Sequence, residues 1–193
     1  MNKIKRGFRM KYIFLVCSVL LISSLSLPFN GYAKSDSVEK QYKSIGYTSD
    51  NAALKKFEEF YHQSTNISDS IKQQIPFKVT HEFGHFKQND KDHLSLEYLN
   101  NNSKALFKVM VYPLKQEIGL SKHEKTGVLN DGTKFSYSKG ENFYIFRFKT
   151  DEFAYVLSSN YLGENSNINQ EKFISIAKGI KNKEFSYKVS YIK

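Results

Sequence analysis

Apolar and polar residues alternate with a period of two through the middle of this chain, the signature of strands with one covered face. In His93-Leu-Ser-Leu-Glu-Tyr-Leu99, Leu94, Leu96 and Tyr98 share one side. Asn100, Asn101 and Asn102 follow as a turn, and Ala105 to Tyr112, rich in Phe, Val and Met, reads as the next strand. Residues 113–125 are charged and contain Gly119, which predicts a loop. A hairpin is predicted over Thr126–Leu129 and Thr133–Tyr137, because Asp131-Gly132 between them supplies the positive φ angles of a tight turn. Lys139 to Asn142 form a second turn. Beyond it, Phe143, Ile145 and Arg147 alternate with Tyr144, Phe146 and Phe148, and Phe153 to Ser158 make a further strand. Strands in succession joined by short turns predict an antiparallel meander.

The period changes to that of a helix on either side of this region. Ser49 and Asp50 can cap a helix running to about Gln63, with Leu54, Phe57 and Tyr61 on one face. Residues 64–75 hold Ser, Thr and Asn and predict a loop with a further helical turn. Near the other end, Asn167 or Asn169 can cap a helix in which Phe173, Ile176, Ala177 and Ile180 form one apolar stripe. A single stripe predicts a helix lying on one face of the sheet. The tail from Phe185 to Ile192 alternates Phe185, Tyr187, Val189 and Tyr191 and predicts a final strand. The expected fold is therefore α+β: an antiparallel meander sheet with a C-terminal helix packed on one face and an N-terminal helix. It occupies 49–193, and the polar, aperiodic residues 34–48 read as a flexible tether.

The first 33 residues follow another pattern. Lys3, Lys5, Arg6, Arg9 and Lys11 open the chain, an apolar run follows from Tyr12 to Leu27, and Gly31-Tyr32-Ala33 close it with small residues at the two positions that matter for cleavage. This is the pattern of a secretory signal peptide, which predicts a secreted or extracytoplasmic protein cleaved after Ala33. Membrane contact is then transient and confined to the leader. The alternative is a leader retained as an anchor, against which stand a run of about sixteen residues, its serines and Pro28.

Removing the leader changes both charge and cysteine chemistry. The chain has 29 basic and 19 acidic residues, and the leader holds five of the basic ones, so 24 against 19 remain, a net +5. A mild charge of that size lacks the basic stripe of a nucleic-acid-binding protein. Cys17, the only cysteine, leaves with the leader, so the mature chain has neither disulfide nor thiol chemistry.

One short motif carries candidate chemistry. His81-Glu82-Phe83-Gly84-His85 matches the His-Glu-x-x-His pattern of zinc peptidases. On a helix, His81 and His85 would project from one face and bind one zinc, with Glu82 as the base that activates its water. A third ligand is not evident: Gln88 and Lys91 occupy the places of the extended pattern, a glutamate ligand further on could only be Glu97 or Glu117, both in or beside predicted strands, and Asp90 and Asp92 match no known pattern. On a strand, His81, Phe83 and His85 would share one face and Glu82 would point to the other. A second candidate is aromatic: Tyr144, Phe146 and Phe148 would form a partner surface if the face they share is exposed.

The order of these features resembles a known family. Its carriers are the strand ending Glu97-Tyr98-Leu99-Asn100, the strand Phe107-Lys-Val-Met-Val-Tyr-Pro113, the turn-bearing stretch Gly127 to Tyr137, the aromatic strand Phe143 to Phe148, Phe153-Ala-Tyr-Val-Leu157 and the helix holding Phe173 to Ile180. Over residues 76–182 the chain is similar to an extracytoplasmic domain of unknown function, often joined to anti-sigma-factor-like membrane proteins and lipoproteins of Gram-positive bacteria. The resemblance implies a sheet-plus-helix module for binding or sensing, with no assigned catalytic residues and no cofactor, and it puts residues 81–85 at the start of the sheet. The expected function is a secreted, non-enzymatic surface module that binds a protein or cell-envelope component. The alternative is a small secreted zinc metallopeptidase.

Overall fold

The alternating segments pair into one antiparallel sheet. A computed structural model describes residues 35–63, 67–88, 93–114, 124–160 and 169–190. The strands are β1 (His81–Phe86), β2 (Leu94–Asn100), β3 (Ala105–Pro113), β4 (Lys125–Val128), β5 (Lys134–Lys139), β6 (Phe143–Lys149) and β7 (Phe153–Asn160), and the sheet order is β1-β2-β3-β7-β6-β5-β4. Two meanders, β1 to β3 and β4 to β7, meet where β3 pairs with β7, with Val109 opposite Leu157. The helices are α1 (Ser35–Ser44), α2 (Asp50–Tyr61), α3 (Ile67–Lys72) and α4 (Gln170–Ser190). The predicted α+β class, the meander and both capped helices are present. Among the described residues, no helix is long and apolar enough to cross a membrane.

Local chemistry accounts for the element ends. The Ser49 hydroxyl accepts the Ala52 amide at the start of α2, and the Asn169 side chain accepts the Lys172 amide at the start of α4. Each cap satisfies an amide that the helix itself leaves unpaired, an effect of about 1 kcal/mol. The predicted hairpin turn forms with Gly132 at φ 86°, and the Leu129 amide reaches the Thr133 carbonyl at 2.8 Å.

The core lies on one face of the sheet. Leu94, Leu96, Tyr98, Phe107, Val109, Val111, Phe146, Tyr155 and Leu157 are fully buried there. Phe173 of α4 enters this layer and stacks on Phe146 and Phe107, with ring centroids 5.8 and 5.9 Å away. The helix α2 crosses β1 at Gly84, where a Cβ would sit 2.6 Å from that of Ala53 and 2.9 Å from the Ser49 carbonyl oxygen. A side chain at residue 84 would therefore push the helix off the strand.

Two segments differ from expectation. Residues 34–48 read as a tether, yet Ser35–Ser44 form α1 and the chain after it lies against the sheet. Thr48 and Gly84 exchange two main-chain hydrogen bonds, at 2.8 and 2.9 Å. The polar sequence misled because α1 uses only a narrow contact: Val38 is buried and Tyr42 stacks on Phe83 at 4.0 Å. The predicted final strand is absent from the described part of the tail. Phe185, Tyr187 and Val189 instead lie within α4, which continues to Ser190. Once a helix is nucleated, each added residue gains a hydrogen bond at little cost, and this outweighs a short alternation.

Candidate functional site

The His-Glu-x-x-His motif lies on β1, in the extended conformation. Residues four apart on a strand are separated by about 13 Å, so one zinc cannot span His81 and His85. Both histidines face away from the core with Phe83 between them, as the pairing of Phe83 with Glu97 requires. Glu82 faces the opposite way and meets Lys72 at 2.6 Å. Lys72 also holds Asp50 at 2.8 Å. Burial opposes the Lys72 charge, but the hydrogen bonds to Asp50 and Glu82 prevail and its pKa ends above the ordinary value. Glu82 is thus a clamp between β1, α2 and α3 rather than a base. His85 is shifted the other way, downward, by burial and by the neighbouring charge of His93. Among the described residues, no three His, Cys, Asp or Glu side chains converge as metal ligands. On β1 the motif cannot bring His81 and His85 to one zinc, so the peptidase alternative lacks the helix it requires. The leader, Asp90, Asp92 and Glu117 lie outside the described residues.

The aromatic candidate is corrected as well. Tyr144, Phe146 and Phe148 do share a face, but it is the helix-covered one, and all three are buried. Alternation shows which residues travel together; it does not show which side the helices cover. Here α4 covers that side, so the trio belongs to the core.

The outer face, opposite the core, holds the polar chemistry. At its β1–β2 end, Glu97 is buried and fully engaged. The Tyr42 phenol donates to one carboxylate oxygen at 2.8 Å, the Tyr47 phenol to the other at 2.7 Å, and the Lys108 ammonium lies 2.8 Å away. Burial and the Glu97 charge push Tyr47 up to about 12 and Tyr42 further in the same direction. This cluster fastens α1 and its connector to the sheet. The sequence carries no signal for it, because the two tyrosine partners of Glu97 lie about fifty residues upstream in a segment without periodicity.

At the β4–β6 end the same face is hollow. A cavity of about 620 Å³ opens there. Strand register sets its walls in two rows. Thr126, Ser136 and Arg147 form one, and Val128 and Lys134, followed by Lys149, form the other. Gly127, Phe135 and Phe148 also line it, but their positions alternate toward the core face, where Phe135 stacks on Phe146. Arg147 is paired with Glu124, whose side chain is 2% exposed. The Ser136 hydroxyl and the Arg147 Nε are buried with no hydrogen-bond partner among the described residues. Lys134 and Lys149 stand exposed at the rim. The Asp131-Gly132 turn was the one sequence signal for this site, since it sets Val128 opposite Lys134. No known protein family, curated protein or solved structure matches this chain.

Proposed function

We propose that this chain is an exported, non-enzymatic binding module, and that it recognises a protein or cell-envelope component with the hollow outer face of its sheet. The cavity over β4 to β6 carries the reading: a concave site of a size that small ligands and side chains fill, edged by cations. Pockets of this kind are few in any one domain. The basic start, apolar run and small closing residues of 1–33 support export. The order of strand and helix patterns in the sequence resembles that of an extracytoplasmic sensing or binding domain, and a modest positive charge suits an anionic surface.

The test has two arms. Protein recovered outside the cytoplasm of expressing bacteria is expected to begin at Lys34, and an intact Met1 start would overturn the export arm. The recovered protein is expected to sediment with washed envelope fragments. Lys134→Glu with Val128→Glu should abolish that association while leaving the circular-dichroism spectrum unchanged. Sedimentation indifferent to both changes would show that the cavity is not the recognition site.

A further inference from the structure

Among the described residues, strands place four Lys and Arg cations on the outer face, and these divide into two kinds. Lys108 is neutralised by Glu97, and Arg147 by Glu124. Lys134 and Lys149 have no acidic partner among the described residues, although the pairing of Phe135 with Phe148 sets them directly opposite each other on β5 and β6. Like charges facing each other across two strands repel. The repulsion is concentrated at the mouth of the cavity.

The rest of the cavity is of mixed character. Val128, which is 62% exposed on β4, continues the row of the two lysines. The aliphatic stems of Lys134 and Lys149 add further carbon surface, since long basic side chains lay their methylenes along apolar ground. The row behind them is polar and closed. Ser136 is 4% exposed, and its hydroxyl has no partner among the described residues; the Arg147 Nε across from it is in the same condition. The site therefore combines two unneutralised cations, an apolar strip and buried polar groups left unpaired in one concavity. Its volume falls within the range, several hundred to about a thousand cubic ångströms, of pockets that enclose small molecules.

We propose that this cavity binds a small organic anion with an apolar body, its charged head held between Lys134 and Lys149 and its body against Val128 and the lysine stems. The inference rests on the reading of the domain as a binding module and names the class of ligand. An anionic head relieves the repulsion between the two lysines. Neither a neutral body nor a bare anion uses both parts of the site.

The test uses sodium octanoate, octanol and inorganic phosphate as probes, titrated calorimetrically into the purified full chain. Octanoate is expected to bind saturably with one site per chain, and octanol and phosphate at least about tenfold more weakly, a difference of about 1.4 kcal/mol for each factor of ten. The double variant Lys134→Gln, Lys149→Gln should keep the parent near-ultraviolet spectrum and lose about tenfold in octanoate affinity. Both changes are at exposed side chains, so folding is not at issue. Three results would each overturn the proposal: no saturable octanoate binding, equal affinity for octanol or phosphate, or an unchanged affinity in the double variant. Envelope sedimentation measured on the same samples separates the two levels: if it persists while octanoate fails to bind, the ligand class falls and the binding-module reading stands.

Discussion

Single residues decide how closely the layers approach. Gly84 is the sharpest case, since Ala53, Asp50 and Ser49 all lie within 3 Å of where its Cβ would be. Two of those contacts are main chain, which cannot rotate away. Gly84→Ala is expected to cost about 1–3 kcal/mol, the usual range for overpacking. A urea denaturation curve checks this, and a midpoint equal to that of the parent would show that α2 gives way more easily than its contacts imply. The same glycine illustrates what a sequence hides. Within His81-Glu82-Phe83-Gly84-His85 it is compatible with a metal-binding helix and with a strand. Its small size is explained only by α2, which reaches it from about thirty residues upstream.

Elements were legible where an internal period set them and illegible where distant contacts did. Leu94, Leu96 and Tyr98 announce β2, and Phe173, Ile176 and Ala177 announce α4, because each pattern is long enough to specify the type of element. The strand character of 81–86 came from pairing with β2 rather than from its own residues. The cavity was illegible because its walls come from three strands whose register no single segment encodes. For α1 the decisive contacts are Tyr42 on Phe83 and on Glu97. Tyr42→Ala removes the stack and the hydrogen bond together. Trypsin should then cleave the variant after Lys40 or Lys43 at least several-fold faster than the parent, with α2 to α4 still protected, as expected of a segment held by few contacts. Equal cleavage rates followed by mass spectrometry would assign the attachment of α1 to Val38 and the Thr48–Gly84 bridge instead.

At the scale of the whole molecule, buried phenols give the fold a common weakness in alkali. Burial and the Glu97 charge hold Tyr47 at about 12, burial and Tyr144 hold Tyr137 at about 12, and burial raises Tyr112 as well. An unfolded tyrosine ionises near pH 10. Above that pH the unfolded chain releases protons that the folded chain retains, so stability is complete below about pH 10 and falls as pH rises toward 12. The urea midpoint is expected to hold between pH 8 and 9.5 and to drop between 10 and 11.5. Tyr47→Phe should start lower, for want of its hydrogen bond to Glu97, and fall less steeply. A parent midpoint flat to pH 11.5 would contradict the assignment. The Thr48–Gly84 bridge bears on a different property of the assembled sheet. It occupies both outward main-chain groups at the centre of β1, leaving an incoming strand no continuous row to pair with. At the other rim, β4 is four residues long and, among the described residues, pairs with β5 alone. Fibrils grow by adding molecules to two open ends. A sheet stoppered at one rim could join a second copy only through the other and would then have nowhere to extend, so edge-to-edge association through these rims would terminate at a pair.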